Sequence, residues 1–301
     1  MPKPIIAVAD LHLIDNNPQC RTDDAIAALF IKLEFVKSLQ AKLDADVIIA
    51  GDVFDYWDAS HELVARTIPS MPARTLAIPG QHDLPQHRIS AYRRSALHVL
   101  EQSGRVKVAC SLIQHVLPSG TRVHCCPYGT VPSLSGKLKR TAWNVMVYHG
   151  MVWDRDAPYP GAKGYSAREL LRKNPQADFI ITGDNHKTFT AQYKGRWLVN
   201  PGSVLRSSAD QMKHKPCVFV LRRGEHPAQV FLPHKKGVVS RDHIEQREDR
   251  ENKMEAFIRR VNEDYEIELS FEKNMNKFLD QNRVRRSVRD KVGEAMTCSS
   301  I

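Results

Sequence analysis

The sequence predicts an α/β fold in which helices cover layers of largely parallel sheet. Three observations carry this prediction. Short apolar or β-branched runs alternate with helical patterns through the first half, each run ends in a polar loop carrying Gly or Asp, and the second half is richer in strand-like runs.

The first strand is expected in PIIAVAD (4–10), followed by a helix in DAIAALFIKLEFVKSLQAKL (24–43). Strands in DVIIAGD (46–52) and RTLAIPG (74–80) then complete a strand–helix–strand pattern, with the polar loops at the carboxyl ends of strands, where sites assemble in α/β sheets. In the second half the candidates are WNVMVYHG, ADFIITGDNH, FTAQYK, RWLVNPGS, PCVFVLRR and AQVFLP, and Lys194-Gly195 reads as a hairpin turn. A second sheet stacked on the first accommodates these strands. VHCC (123–126) is also strand-like, which points Cys125 and Cys126 to opposite faces.

Composition sets the class and the compartment. The 301 residues are 42% apolar and 26% charged, ordinary values for a soluble globular protein. No run approaches the ~18 apolar residues of a membrane helix, and the opening MPKPIIAVAD lacks the apolar region of a secretory signal, so no membrane association and a cytoplasmic location are expected. Six scattered cysteines without a CxxC pair fit reduced core thiols. The net charge of +10 favours a polyanionic partner, nucleic acid above all. From Lys235 onward 15 Lys and Arg face 14 Asp and Glu, so +9 of that surplus belongs to residues 1–234.

Near Lys235 the character of the chain changes. A charged passage gives way to helical spacing that places Met254, Phe257, Ile258 and Val261 on one face, and Val284, Val288, Val292 and Met296 on another. The organisation read from this is a catalytic domain over 1–240 and a charged, mainly helical region over 241–301. Its stripes either pack on the catalytic domain or dock a partner.

Five segments concentrate ligands for hard metals, each after a strand-like run: Asp10-Leu11-His12, Gly51-Asp52-Val53-Phe54-Asp55, Gly80-Gln81-His82-Asp83, Tyr148-His149-Gly150 and Gly183-Asp184-Asn185-His186. Any one alone reads as a turn, with Asp capping its own backbone. Five in this order point to one rim, where two divalent ions could clamp a phosphoryl group and generate hydroxide from water. Strand alternation would turn Asp10 and His12 to the same side, and Asp52 is the natural bridge between ions.

These segments resemble the DxH, GDxxD, GNHD, H and GHxH signatures of the calcineurin-like metallophosphoesterases over roughly residues 4–206. The resemblance implies a four-layer α/β/β/α sandwich with two metals at the sheet edge. It places Asp10, His12, Asp52 and His186 on one ion, and Asp52, Gln81, His149 and Asp184 on the other. Gln81 stands where the family has Asn and Asp184 where it has the first His of GHxH; both keep a lone pair for a hard cation, which favours Mn²⁺, with Mg²⁺ as the alternative. His82 corresponds to the histidine that meets the scissile phosphate or protonates the leaving oxygen, and Asp83 or Asp55 would orient it. Asn200-Pro201-Gly202-Ser203 resembles the NPGS turn after the last ligand strand, with Arg206 beyond it and Asn185 beside the last ligands as candidate substrate contacts.

Within the superfamily the resemblance is greatest to SbcD-type DNA repair exonucleases, through GDVFD and the order of domains. That implies metal-activated hydroxide attacking DNA, an exonuclease or endonuclease role in repair or recombination, an SMC-type ATPase (SbcC-like) as partner, and a homodimer as a further option. A phage or plasmid version, acting in the host cytoplasm, would fit the short chain. The alternative is a small-molecule phosphatase or cyclic-nucleotide phosphodiesterase of the same superfamily.

Overall fold

A computed structural model describes residues 2–134, 142–263 and 271–298. The chain divides into two compact units, Met1–Ser240 and Arg241–Ile301.

In the first unit, β1 (Ile5–Val8), β2 (Asp46–Ala50), β3 (Thr75–Ile78) and β4 (Val106–Val108) run parallel. A second sheet is assembled from β5 (Ile113–Val116), β6 (Arg122–Cys126), β7 (Asn144–His149), β10 (Phe179–Gly183), β11 (Phe189–Tyr193) and β12 (Arg196–Asn200), with a two-stranded ribbon of β8 (Val152–Trp153) and β9 (Tyr165–Ser166) beside it. The chain then returns to the first sheet through β13 (Cys217–Leu221) and β14 (Ala228–Phe231), both antiparallel. Each main sheet has six strands, in the orders β14-β13-β1-β2-β3-β4 and β11-β12-β10-β7-β6-β5.

Strand alternation creates the layers. Ile5, Ala7, Ile48, Ala50, Phe219 and Leu221 point into a core shared with Val145, Val147, Phe179, Ile181 and Val199 of the other sheet. Their neighbours Ile6, Val8, Val47, Ile49, Val218 and Val220 point the opposite way, onto α1 (Ala25–Leu43), α2 (His61–Ser70) and α3 (Ala96–Gln102). On the far side, Met146, Tyr148, Ile180 and Leu198 meet α4 (Ala167–Lys173) through Leu170 and Leu171. Sheets apolar on both faces need cover on both, and the result is helix, sheet, sheet, helix, as the motifs implied. Cys125 faces the inter-sheet core and Cys126 the outer one.

The inner strands set where chemistry can sit. β1, β2, β7 and β10 are buried along their whole length, and the polar segments read from the sequence sit at or just past their carboxyl ends. The parallel pairings β1–β2 and β7–β10 bring these ends together.

In the second unit, the charged passage is itself helical: α5 spans Asp242–Glu263, followed by α6 (Phe271–Gln281) and α7 (Arg286–Cys298). Phe257 of α5 meets Phe278 of α6 edge-on, centroids 5.0 Å apart, while Met254 and Ile258 are exposed. The side chain of Val261 lies outside the described residues. No described helix is long and apolar enough to cross a membrane.

Candidate metal centre

All five segments converge at the carboxyl ends of β1, β2, β3, β7 and β10. Asp10, His12, Asp52 and His149 are buried, and Gln81, Asp184 and His186 are partly so. Asp10, His12 and His186 offer ligand atoms within 4.8 Å of one another, as do Asp10, Asp52 and His149. A further such group is His12, Asp55 and His82.

The backbone here is strained in a consistent way. Asp10, His12, Asp52 and Asp184 have φ of 48°, 45°, 50° and 89°, a left-handed conformation uncommon outside glycine. β1 ends at Val8, so Asp10 and His12 converge through two left-handed residues in a loop, not through strand alternation as their spacing suggested. The loop is tied down by Asp10 N–H to Gly51 O (3.2 Å), His12 N–H to Asp52 O (3.0 Å) and Leu13 N–H to Val53 O (3.0 Å). Glycines make room for the ligands: a Cβ on Gly51 would fall 2.0 Å from His149 Nδ1, and one on Gly80 2.1 Å from Asp52 Oδ1.

Each side chain is aimed by a partner. The Ala50 carbonyl lies 2.6 Å from His149 Nδ1, turning Nε2 toward Gln81 Oε1 (2.7 Å) and Asp52 Oδ2 (3.4 Å). Gln81 Nε2 donates to Asp184 Oδ1 at 2.6 Å, and the Asp184 N–H donates to Asp10 at 2.9 Å. His12 Nδ1 lies 2.9 Å from the Asp55 carboxylate, which turns its Nε2 to within 3.1 Å of His186 Nε2. A carboxylate behind an imidazole is the arrangement that orients metal-ligating histidines.

The electrostatics fit a cation. Among the described residues Asp52 Oδ2 is buried without a hydrogen-bond partner, while Oδ1 accepts the His82 N–H at 3.0 Å. A buried carboxylate oxygen left this way is costly unless a positive charge faces it. Burial pulls the His149 imidazole down, but Asp52, Asp10 and Asp184 outweigh it and raise the group to about 10. His12 is likewise raised, by Asp55, Asp52 and Asp10 against burial. Burial, with Asp52 adding, lifts Asp10 to about 7, whereas burial, with the His12 charge adding, lowers His186 to about 4. The cluster holds positive charge on its own imidazoles, a role that divalent cations could take over.

A family model of the calcineurin-like phosphoesterases matches residues 3–188. The chain belongs to this family. Among solved structures it is similar to TT1561 of Thermus thermophilus (13% identity, 77% of this chain and 100% of that one, TM-score 0.48). It is also similar to an archaeal phosphodiesterase (12%, 76% and 99%, 0.43) and to a metallophosphoesterase from Sphaerobacter thermophilus (14%, 77% and 89%, 0.40). Likenesses this distant bear on neither substrate nor mechanism. No curated protein matches the sequence.

The phosphoesterase site differs from expectation at several residues. Asp83 does not orient His82: its carboxylate is buried and accepts the N–H groups of Gly80 (2.9 Å), Phe54 (3.0 Å) and Val53 (3.2 Å), stitching the second and third ligand loops together. Burial, reinforced by Asp52, raises it to about 6. His82 is instead held by the backbone carbonyl of Asp55, 2.7 Å from Nδ1, and the Asp55 carboxylate serves His12. Asn185 has both ends of its amide engaged, donating to Val152 O at 2.7 Å and accepting the Lys187 N–H at 3.1 Å, bonds that hold the last ligand loop against β8. Arg206 is buried and bonds to Lys235 O, away from the ligand side chains.

Two residues at the centre gave no signal in the sequence. Gln211 Nε2 lies 3.4 Å from His186 Nδ1, reaching it from a separate turn, and Tyr128 stands between His87 and His149, with centroids 6.3 and 6.4 Å away. Neither lies in a ligand motif, so only the fold reveals them.

Proposed function

We propose that this chain hydrolyses phosphodiesters with two divalent cations, Mn²⁺ or Mg²⁺, and that its substrate is DNA. The observation that carries the reading is the convergence of Asp10, Asp52 and His149, and of Asp10, His12 and His186, into two ligand groups that share Asp10, with Asp184 bonded to Asp10 and Asp52 Oδ2 buried between imidazoles without a hydrogen bond among the described residues. Asp10, His12, Asp52 and His186 would hold one cation, and Asp52, Gln81, His149 and Asp184 the other. When bound, such a pair clamps phosphoryl oxygens, neutralises developing charge and lowers the pKa of water.

The chain's own residues supply the rest. His82 Nδ1 is occupied by the Asp55 carbonyl, and Nε2 has no hydrogen-bond partner among the described residues, so it is placed to give a proton to a leaving oxygen. Asp55 fixes His12 at the same time, which couples the proton donor to the ligand shell through one residue. Asp83 and the left-handed loops keep these groups in place without reorganisation. DNA is favoured because +9 of the net charge lies in residues 1–234, the part that carries this site. The exposed Met254 and Ile258 of α5 suit a helical partner, an SMC-type ATPase in this reading.

The test is incubation of purified protein and Mn²⁺ with end-labelled single- and double-stranded DNA, beside bis-p-nitrophenyl phosphate. Metal-dependent cleavage of DNA is expected. Hydrolysis of the small diester without DNA cleavage would move the substrate to small phosphodiesters, and no metal-dependent hydrolysis of either would contradict the enzyme reading.

A further inference from the structure

A cavity of ≈ 360 Å³ lies between the start of α1, the segment at Arg206 and residues 233–235, and it shares no residue with the ligand set above. Three of its lining cations are buried: Lys32 at 2% exposure, Arg206 at 3% and Arg21 at 7%. Large cations are rarely buried to this extent unless paired.

Of these three, only Arg21 is paired with a carboxylate among the described residues. Its Nη2 lies 2.6 Å from Asp23 Oδ1. Lys32 Nζ donates to Val204 O at 2.9 Å and Arg206 Nη2 donates to Lys235 O, bonds that satisfy N–H groups without neutralising charge. The carboxylate of Asp24, also on the wall, accepts the Ala27 N–H at 2.8 Å as the cap of α1 and keeps its charge, but makes no ion pair with these cations among the described residues. Arg206 Nε is buried with no acceptor among the described residues. Lys32 and Arg206 thus have no direct ion pair among the described residues: the wall carries four cations, Arg21, Lys32, Arg206 and Lys235, against Asp23 and Asp24, and Asp23 is already paired with Arg21, while His234 adds a further donor. Burial, with Arg21 and Arg206 adding and Asp23 only partly opposing, pushes Lys32 down to about 8, and burial with Arg21 lowers Arg206 against the same Asp23. Ala27, Ala28, Ile31 and Pro233 give the same cavity an apolar part.

Buried cations in excess of the acids around them, lining one cavity together with apolar side chains, describe a receptor for an anion with an organic body. We propose that this cavity binds the phosphate group of a small phosphorylated molecule, neutralised by Lys32 and Arg206, with its organic part against Ile31 and Pro233. A dianionic phosphate matches two cations, and a guanidinium presents donors in the geometry of phosphate oxygens. The proposal uses none of the metal-centre residues and stands whether or not that centre acts on DNA.

Calorimetric titration of full-length protein with inorganic phosphate and with a nucleoside monophosphate tests it. The wild type is compared with Asp52→Ala, which disables the metal centre, and with Lys32→Met, Arg206→Met and Ile31→Glu. The expected result is a phosphate site that survives Asp52→Ala and is weakened about tenfold or more by each of the other substitutions. Ile31 is 57% exposed on α1, so Ile31→Glu introduces a carboxylate at the wall without disturbing the core, which keeps the test valid if a buried variant fails to fold. Phosphate binding that disappears in Asp52→Ala, or that is untouched by Ile31→Glu and Lys32→Met, would overturn the proposal. Oligonucleotides with and without a 5′-phosphate separate the sources. Tighter binding of the small monophosphate supports the proposal, whereas equal or tighter binding of the 5′-phosphorylated strand, with the same sensitivity to Ile31→Glu, would assign the cavity to a DNA end instead.

Discussion

The ligand cluster at the strand ends and the cavity beside α1 both bury charge in the same fold unit, and they carry it differently. At the strand ends, carboxylates and imidazoles lean on one another: His149 meets Asp52 at 3.4 Å and His12 meets Asp55 at 2.9 Å, so protonated imidazoles offset the acids. In the cavity, Lys32 and Arg206 are like charges resting on carbonyl oxygens. The first region can persist with its own protons until cations replace them. The second has two acids, Asp23 and Asp24, against four cations, with Asp23 already paired to Arg21, and the difference shows that hydrogen-bond satisfaction and charge compensation are separate requirements.

The largest expected effect falls at the strand ends. Asp52→Ala removes the carboxylate proposed to face both cations, and it should abolish turnover and lower bound metal together, measured by hydrolysis of bis-p-nitrophenyl phosphate and by elemental analysis of the same sample. His82→Ala should separate these two properties, retaining metal while kcat falls by roughly 10²–10⁴-fold. Loss of metal in that variant would place His82 among the ligands.

In the cavity the expected effect is smaller and opposite in sign. The folded-state pKa of Lys32, about 8, lies below the ~10.4 of an unfolded lysine. Between those values the unfolded chain holds a proton that the folded chain has released, so this group makes stability fall as pH drops through that window; below about 8 both states are protonated and the folded state bears the full cost of the buried charge. Lys32→Met should therefore be more stable than wild type near neutral pH. The wild type takes up its proton at about 8 in the folded state, so the unfolded chain is favoured relative to the variant increasingly as pH falls from ~10.4 toward 8, and the difference in urea midpoints between the two proteins should follow that course. A midpoint difference that does not change with pH would show that Lys32 is neutralised by a group other than those facing it. The smallest effects are expected for Gln81→Asn and Asp184→His, which restore the commoner family ligands and should keep metal and activity with an altered metal preference. Loss of metal from a folded variant would show that the 2.6 Å Gln81–Asp184 contact sets the local geometry.

The parts legible in sequence were those written as local pattern. Apolar runs such as DVIIA and FIITG are buried on both faces, so their length and composition sufficed to locate strands and the loops beyond them. β4 and β5 carry mixed burial over three and four residues, too short and too polar to stand out. At the site, residue types marked the ligand loops, but partners far apart in the chain decide what a side chain does. Asp83 looks like a companion to His82 in GQHD, yet its bonds run to Val53 and Phe54, about thirty positions away. Arg206 follows a motif turn, yet its environment is made by Arg21 and Lys32. Left-handed φ at Asp10 and His12 leaves no trace in composition, because Asp and His are compatible with many loops.

The central claim is that the strand-end cluster holds two divalent cations. Crystals of the full-length chain grown with Mn²⁺, with anomalous scattering recorded at the manganese edge, test it most directly. Two peaks are expected, one against Asp10, His12 and His186 and one against Gln81, His149 and Asp184, with Asp52 touching both. A single peak, or density that leaves Asp52 Oδ2 without a metal, would contradict the two-cation site.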